Sequence, residues 1–255
     1  MKQIKLTIQY DGTEYAGWQV QPKERTIQGT IESFIKNLAP DHSSLIAAGR
    51  TDAGVHAIEQ VACFKTSSHH EPGVFRKALN AQLPPDIRIL DAEECNPSFH
   101  PRYDAKSKTY VYLIHQGETV SPFLYRYVWN VRYTLNVTAM KEAAHHLTGK
   151  HDFTSLQASG CAAKNPVREI SFLDIRRMRS LRFLHFSLRG NFILFTVEAN
   201  AFLRHMVRNI VGTLVDVGRG AMEAEEIKRV LSAKDRTLSG PTAPPGGLFL
   251  QKIAY

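Results

Sequence analysis

The chain has 255 residues, 43% hydrophobic and 22% charged, enough to bury a sizeable core as one large domain or two of ordinary size. No apolar run approaches the roughly eighteen residues of a membrane span, so a bilayer role is excluded as an expectation, and three scattered cysteines (Cys63, Cys95, Cys161) are too few for a disulfide framework. Lys and Arg number 32 against 24 Asp and Glu, a net charge of +8 that suits a polyanionic partner or simply a basic solvated face.

In chain order the first half reads as a strand at Lys5–Tyr10, a helix at Ile27–Leu38, strands at Leu45–Gly49 and Gln60–Thr66, a helix at Pro72–Gln82 and a strand at Ile87–Ala92. Leu6, Ile8 and Tyr10 alternate, while Ile27, Ile31, Phe34, Ile35 and Leu38 share one helical face behind a Thr26 cap. The stretch Asn96-Pro97-Ser98-Phe99-His100-Pro101-Arg102 is rich in turn formers and is the expected linker. Beyond it come a strand at Thr109–His115, a helix near Thr138–Leu147 behind an Asn136 cap, and strands near Ile170–Arg176, Phe183–Leu188 and Phe192–Ala199. An apolar helix from Phe202 to Val217 stops at Gly218, a short helix covers about Ala224–Leu231, and Leu248–Ala254 is a closing strand. Two runs of strand-helix-strand-strand-helix-strand predict an α+β protein of two ferredoxin-like (split β-α-β) halves, residues 1–104 and 105–255, with mostly antiparallel sheets flanking a central cleft.

The N-terminus runs straight into strand-like alternation without a secretory signal, and with free cysteines this predicts a cytoplasmic protein with thiols that are mostly buried. The positive charge is concentrated: ten basic residues against four acidic ones from Lys164 to Arg219 supply +6 of the +8. Neither GxGxxG nor GxxxxGK[ST] occurs, nor HExxH, CxxC or GxSxG, so no nucleotide cofactor, no metal and no serine nucleophile is expected. The chemistry is left to carboxylates, arginines and tyrosines.

Three segments stand out. Gly49-Arg50-Thr51-Asp52-Ala53-Gly54-Val55-His56-Ala57 lies between two predicted strands, a functional loop or ordinary turn chemistry. Tyr110 and Tyr112 share a strand face, where a base could stack or the rings simply pack. Arg204 and Arg208 are four apart and so fall on one face of the predicted helix, among strongly apolar neighbours that make an anionic partner the expectation.

Together with Tyr10-Asp11-Gly12-Thr13, Gly17-Trp18-Gln19, Gln60-Val61, Lys108-Thr109-Tyr110-Val111-Tyr112, His151-Asp152-Phe153, Val167-Arg168, NAFLRHMVRNIVG from Asn200 and Thr242-Ala243-Pro244-Pro245-Gly246-Gly247-Leu248, these segments resemble, in chain order, the TruA-type tRNA pseudouridine synthases. Leu156 and Glu59 depart from that pattern, at positions that bear on packing rather than chemistry. The resemblance implies isomerisation of uridine at nucleotides 38, 39 and 40 of the tRNA anticodon arm by a cofactor-free homodimer. Asp52 is then the catalytic carboxylate, ion-paired to Arg204; Tyr110 stacks on the flipped base and serves in proton transfer; Arg50, Arg168, Arg208 and Leu248 contact the substrate. Two rivals stay open: a non-enzymatic RNA-binding protein, which has no use for a carboxylate facing a polyanion, and a related synthase with another RNA target.

Overall fold

A computed structural model of the chain describes residues 1–161, 163, 165–183 and 185–255. Lys164, counted above in the basic segment, Leu184, inside the strand predicted at Phe183–Leu188, and the side chain of Phe183 lie outside the described residues. The chain divides into two compact units, Met1–Lys106 with Phe249–Tyr255, and Ser107–Leu248. Both mix helices with mostly antiparallel strands.

In the first unit β1 (Lys2–Tyr10) lies antiparallel between β3 (His56–Thr66) and β4 (Ile87–Cys95), and β2 (Ile46–Ala47) pairs with β3. The alternation of β1 is that of a strand with one buried face: Ile4, Leu6, Ile8 and Tyr10 are inside. Also buried are Ile27, Ile31 and Ile35 of α1 (Ile27–Leu38), capped by Thr26 as expected, and Phe75 and Leu79 of α2 (Pro72–Gln82). Phe64 of β3 meets Phe75 edge to face at 5.4 Å. Each such side chain taken fully out of water contributes roughly 1.5–3 kcal/mol, and that holds the two helices to the sheet. The last strand of the chain, β10 (Leu248–Ala254), returns to pair parallel with β3 through Phe249↔His56 and Leu250↔Ala57. The expected linker is packed rather than free: Gln3 donates to the Phe99 carbonyl at 2.6 Å, and Tyr255 donates to the Pro101 carbonyl at 2.9 Å.

The second unit is built on β5 (Ser107–Gln116), β9 (Phe186–Ala199), β8 (Val167–Phe183) and β7 (Gly149–Asp152), adjacent in that order and antiparallel, with β6 (Trp129–Val131) parallel to β5. Helix α3 (Val137–His145) starts at the expected Asn136 cap, which accepts from the N–H groups of Thr138 and Ala139. Helix α4 (Met206–Gly218) is buried almost all round, and α5 (Glu226–Ala233) follows it. The three strands expected between residues 170 and 199 are two long ones, because the arginine-rich run from Arg176 to Arg182 continues β8. Strands β6 and β7, three and four residues long, carry too little periodicity to be read from sequence.

Helix α4 begins four residues later than expected. His205 adopts φ 61°, ψ 2° and so ends the preceding turn before the helix starts at Met206. Arg204 therefore lies in that turn and not beside Arg208 on a helical face. Beneath α4 the buried Asn209 donates to the Leu156 carbonyl at 3.0 Å and accepts from Arg236 at 3.1 Å and Thr242 at 2.7 Å. Arg236 also donates to the Gly240 carbonyl at 2.9 Å, so this network fastens the irregular segment 236–242 to the helix. The three cysteines are free, but only Cys63 is buried, which narrows the expectation of mostly buried thiols.

Candidate active site

The residues singled out in the sequence fall on two structures, one in each unit. In the first, Asp52 lies on the connection from β2 to β3, and the backbone of that connection is held at several points. The Gly49 carbonyl accepts from Gln60 Nε2 at 2.7 Å. Thr51 is held twice, its carbonyl by the N–H of Trp18 at 3.0 Å and its hydroxyl by Tyr10 Oη at 2.7 Å. Gly54 donates to the Tyr15 carbonyl at 3.3 Å, and Val55 closes a turn onto the Asp52 carbonyl at 3.1 Å. Gly54 takes φ 75° in that turn, a conformation glycine adopts without the Cβ penalty. Asp52 itself is half-buried, and Arg50 on the same loop is exposed.

The segment 10–18 makes this clamp, and it in turn depends on His56. Nδ1 of His56 sits 3.1 Å from the Gly12 N–H and 3.0 Å from Asp11 Oδ1, and its ring stacks on Phe249 at 4.6 Å. Below, Tyr15 donates to Asp86 at 2.7 Å and accepts from Arg25 at 2.8 Å. Sequence reading missed most of these supports because segment 10–18 is far from the loop along the chain, 41 positions for Tyr10 to Thr51 and 44 for Gly12 to His56. The signal was present in part, since Tyr10, Gly12 and Gln60 belong to the motifs already quoted.

Gly17 shows how tight the clamp is. It has φ 97°, and a Cβ there would come 2.8 Å from the Thr51 carbonyl oxygen. Gly17→Ala is expected to cost about 1–2 kcal/mol of stability through the left-handed backbone alone and to lower turnover by displacing Thr51 and Asp52. Thermal melts and single-turnover rates check it. An alanine variant with wild-type melting and rate would show that the loop is not held there.

Burial pushes the Tyr10 hydroxyl up to about 12, although its hydrogen bonds to Thr51 and Gln60 work in the opposite direction. Burial also raises Tyr15, Tyr112 and Tyr255 above the ordinary tyrosine value. A folded-state value above the unfolded one means that the contribution to stability is complete below pH 10 and is lost as pH rises through about 12. For Tyr10 this is on the order of 3 kcal/mol. Tyrosinate absorbance and far-ultraviolet circular dichroism should therefore show these four of the nine tyrosines ionising only as the fold is lost. Nine tyrosines ionising together near pH 10 with native dichroism would contradict it.

In the second unit, Tyr110 is 7% exposed on β5, and its ring meets Phe202 edge to face at 5.0 Å. Tyr112, two residues on, is wholly buried and donates to the Pro244 carbonyl at 2.7 Å. Arg204 is exposed, with its carbonyl accepting from the Ala158 N–H at 2.9 Å. Arg208 supports a loop, because its Nε donates to the Ala243 carbonyl at 2.7 Å while its carbonyl accepts from the Ala243 N–H at 3.1 Å. Leu248, 5% exposed, follows that loop. Tyr110, the turn carrying Phe202 and Arg204, and the loop 242–248 all belong to this unit; Arg168 sits near the start of β8, where its guanidinium donates to the carbonyls of Asn165 and Val167 at 2.8 and 2.7 Å. Among the described residues no group of three or more His, Cys, Asp or Glu side chains is placed to hold a metal ion, and no helix is long and apolar enough to cross a membrane.

A sequence profile described as tRNA pseudouridine synthase matches residues 6–104 and 143–255. The match defines an isomerase acting on uridine in tRNA. Proteins named tRNA pseudouridine synthase A from Thermodesulfovibrio yellowstonii and Geobacter sulfurreducens are 42% and 44% identical to this chain, with each alignment covering all of both chains. The Myxococcus xanthus protein of that name is 43% identical over all of this chain and 92% of its own. The chain belongs to the tRNA pseudouridine synthase A family. Among solved structures, a chain of the archaeal box H/ACA sRNP Nop10-Cbf5 complex matches 92% of this chain, with 59% of its own length covered, at 11% identity and a TM-score of 0.37; the architecture described above rests on this chain alone.

Proposed function

We propose that the enzyme converts uridine to pseudouridine at nucleotides 38, 39 and 40 of the tRNA anticodon arm, without metal or organic cofactor, with Asp52 as the catalytic carboxylate. The observation that carries this reading is the Asp52 loop, whose backbone is held at Gly49, Thr51, Gly54 and Val55 while the carboxylate is left half-buried. A pre-organised carboxylate of this kind costs little reorganisation when a substrate meets it.

The reaction breaks the N1–C1′ glycosidic bond, rotates the uracil and joins C5 to C1′; the C5 proton leaves to solvent and N1 takes up a proton, so the product is an isomer and nothing is oxidised or reduced. Whether Asp52 attacks the ribose, attacks the base or takes a ribose proton, it acts as the ionised form. The target nucleotide must leave its stack to be reached, at a cost of a few kcal/mol that binding offsets. Tyr110 stacks on the flipped base and serves in proton transfer at its carbon, and Arg204 supplies positive charge to the reacting centre. Arg50, Arg168, Arg208 and Leu248 complete the substrate contacts, Arg208 by holding the loop that ends at Leu248.

Each unit is proposed to follow the ferredoxin-like plan, which the neighbour order β4, β1, β3, β2 of the first unit supports. The working enzyme is proposed to be a cytoplasmic homodimer whose tRNA contacts both subunits. Release of tritium from uracil C5 of labelled, unmodified tRNA, with no cofactor added, tests the activity. Replacing uridines 38 to 40 by cytidine should abolish the release; undiminished release would contradict the assigned positions.

A further inference from the structure

We infer that the distal end of the β8–β9 hairpin is an arm that grips tRNA phosphates, with Arg182 and Arg189 as its contacts. From Ile175 to Val197 the chain carries five arginines and no acidic residue. Strand β5 pairs with β9 only as far as Gln116↔Asn191, so Ser180–Arg182 and Ser187–Arg189 continue as a two-stranded ribbon. An isolated hairpin is marginal in water, and this one is held by one face. Leu181 and Leu188, directly paired, pack on a cluster with Leu124, Val128, Phe192 and Met178.

The other face carries the charge. Arg182 pairs with Ser187 and Ser180 with Arg189, which puts the two arginines diagonally on the side opposite Leu181 and Leu188. Both are exposed. Arg176, Arg177 and Arg179 are occupied by Asp174, the Leu135 carbonyl and Asn191, whereas Arg182 and Arg189 have no partner among the described residues. Paired arginines without a carboxylate nearby are costly to a folded protein through mutual repulsion and are matched by a polyanion. Arg189 lies eight residues along β9 from Val197, the partner of Tyr110, or about 27 Å at the rise of a strand. The arm thus touches phosphates well away from a base stacked on Tyr110. It carries affinity and orientation, not base identity. The assignment rests on tRNA being the substrate and not on which nucleotides are modified.

The test is the salt dependence of Kd for unmodified tRNA transcript, measured with wild type, the double variant Arg182→Ala/Arg189→Ala and the charge-keeping Arg182→Lys/Arg189→Lys. The alanine variant should bind roughly tenfold more weakly at low salt and lower the slope of log K against log salt by about two, and the lysine variant should keep the wild-type slope. An unchanged slope in the alanine variant overturns the proposal, as does a slope lost with lysines in place. Sedimentation of each protein identifies the other occupant of this face: if the alanine variant changes its oligomeric state, the face is a contact between copies of the chain and the proposal is wrong. Wild-type product mapping reports on the assigned nucleotides independently of all three results.

Discussion

Asp52→Asn should bind tRNA at least as well as the wild-type enzyme and isomerise uridine at least about 10⁴-fold more slowly in single turnover. Asparagine has nearly the shape of aspartate and retains an acceptor oxygen, so the substitution removes the charge and leaves the geometry. The loop is also held by Gln60, Tyr10, Trp18 and Tyr15, which act on its backbone and on Thr51 and stay in place in the variant. Melting should accordingly be unchanged. Binding should not suffer either, since a carboxylate facing phosphates opposes association. Loss of rate without loss of fold or affinity separates a catalytic carboxylate from turn chemistry, the alternative that the residues Asp52-Ala53-Gly54 left open. A variant within tenfold of the wild-type rate would return Asp52 to the turn reading.

Arg204→Ala should lower the single-turnover rate by about 10²–10³-fold, the range for removing one positioned charge or donor from a reacting centre. Its side chain is exposed, and the turn is fixed by the Leu203 carbonyl accepting from Met206 and the Arg204 carbonyl accepting from Ala158, so the fold should survive. Arg204→Lys should recover part of the rate, as a point charge without the planar fork. Near-normal single-turnover rates for the alanine variant would remove Arg204 from the chemistry. Tyr110→Phe distinguishes the two roles of that residue, because the ring still stacks beside Phe202 while the hydroxyl is gone. Normal product formation by this variant would exclude proton transfer by Tyr110.

Local order was the legible part of the fold. The residue period gave α1 and α2 with the ends they have, and the side-chain caps at Thr26 and Asn136 are formed as read. Long-range order was not legible, since a strand's own residues do not say which strand it joins. The parallel return of β10 to β3 is the plainest example. The arginine run in β8 escaped because a strand exposed on one face has nothing apolar to alternate there. At α4, Phe202 and Leu203 keep helical spacing with the residues that follow, and only the left-handed backbone of His205 interrupts it.

Of the candidate site, the role given to Asp52 came from the family resemblance, while a glycine-bearing loop between two strands was readable from the residues. The clamp was not, because Tyr10, His56 and Gln60 act from neighbouring strands across the sheet. Arg208 shows what spacing leaves out: its Nε donates to the Ala243 carbonyl, a contact that no pattern in the chain announces. Spacing along a chain says which residues can share a face, and the partner is chosen by the fold.

The measurement that bears most directly on this account is mass-spectrometric mapping of pseudouridine in unmodified tRNA transcripts, incubated without cofactor with wild-type enzyme or with Asp52→Asn. Pseudouridine at nucleotides 38 to 40 with wild type, and none with the variant, is the expected result. Modification at those nucleotides by the variant, or wild-type modification confined to other positions, would contradict it.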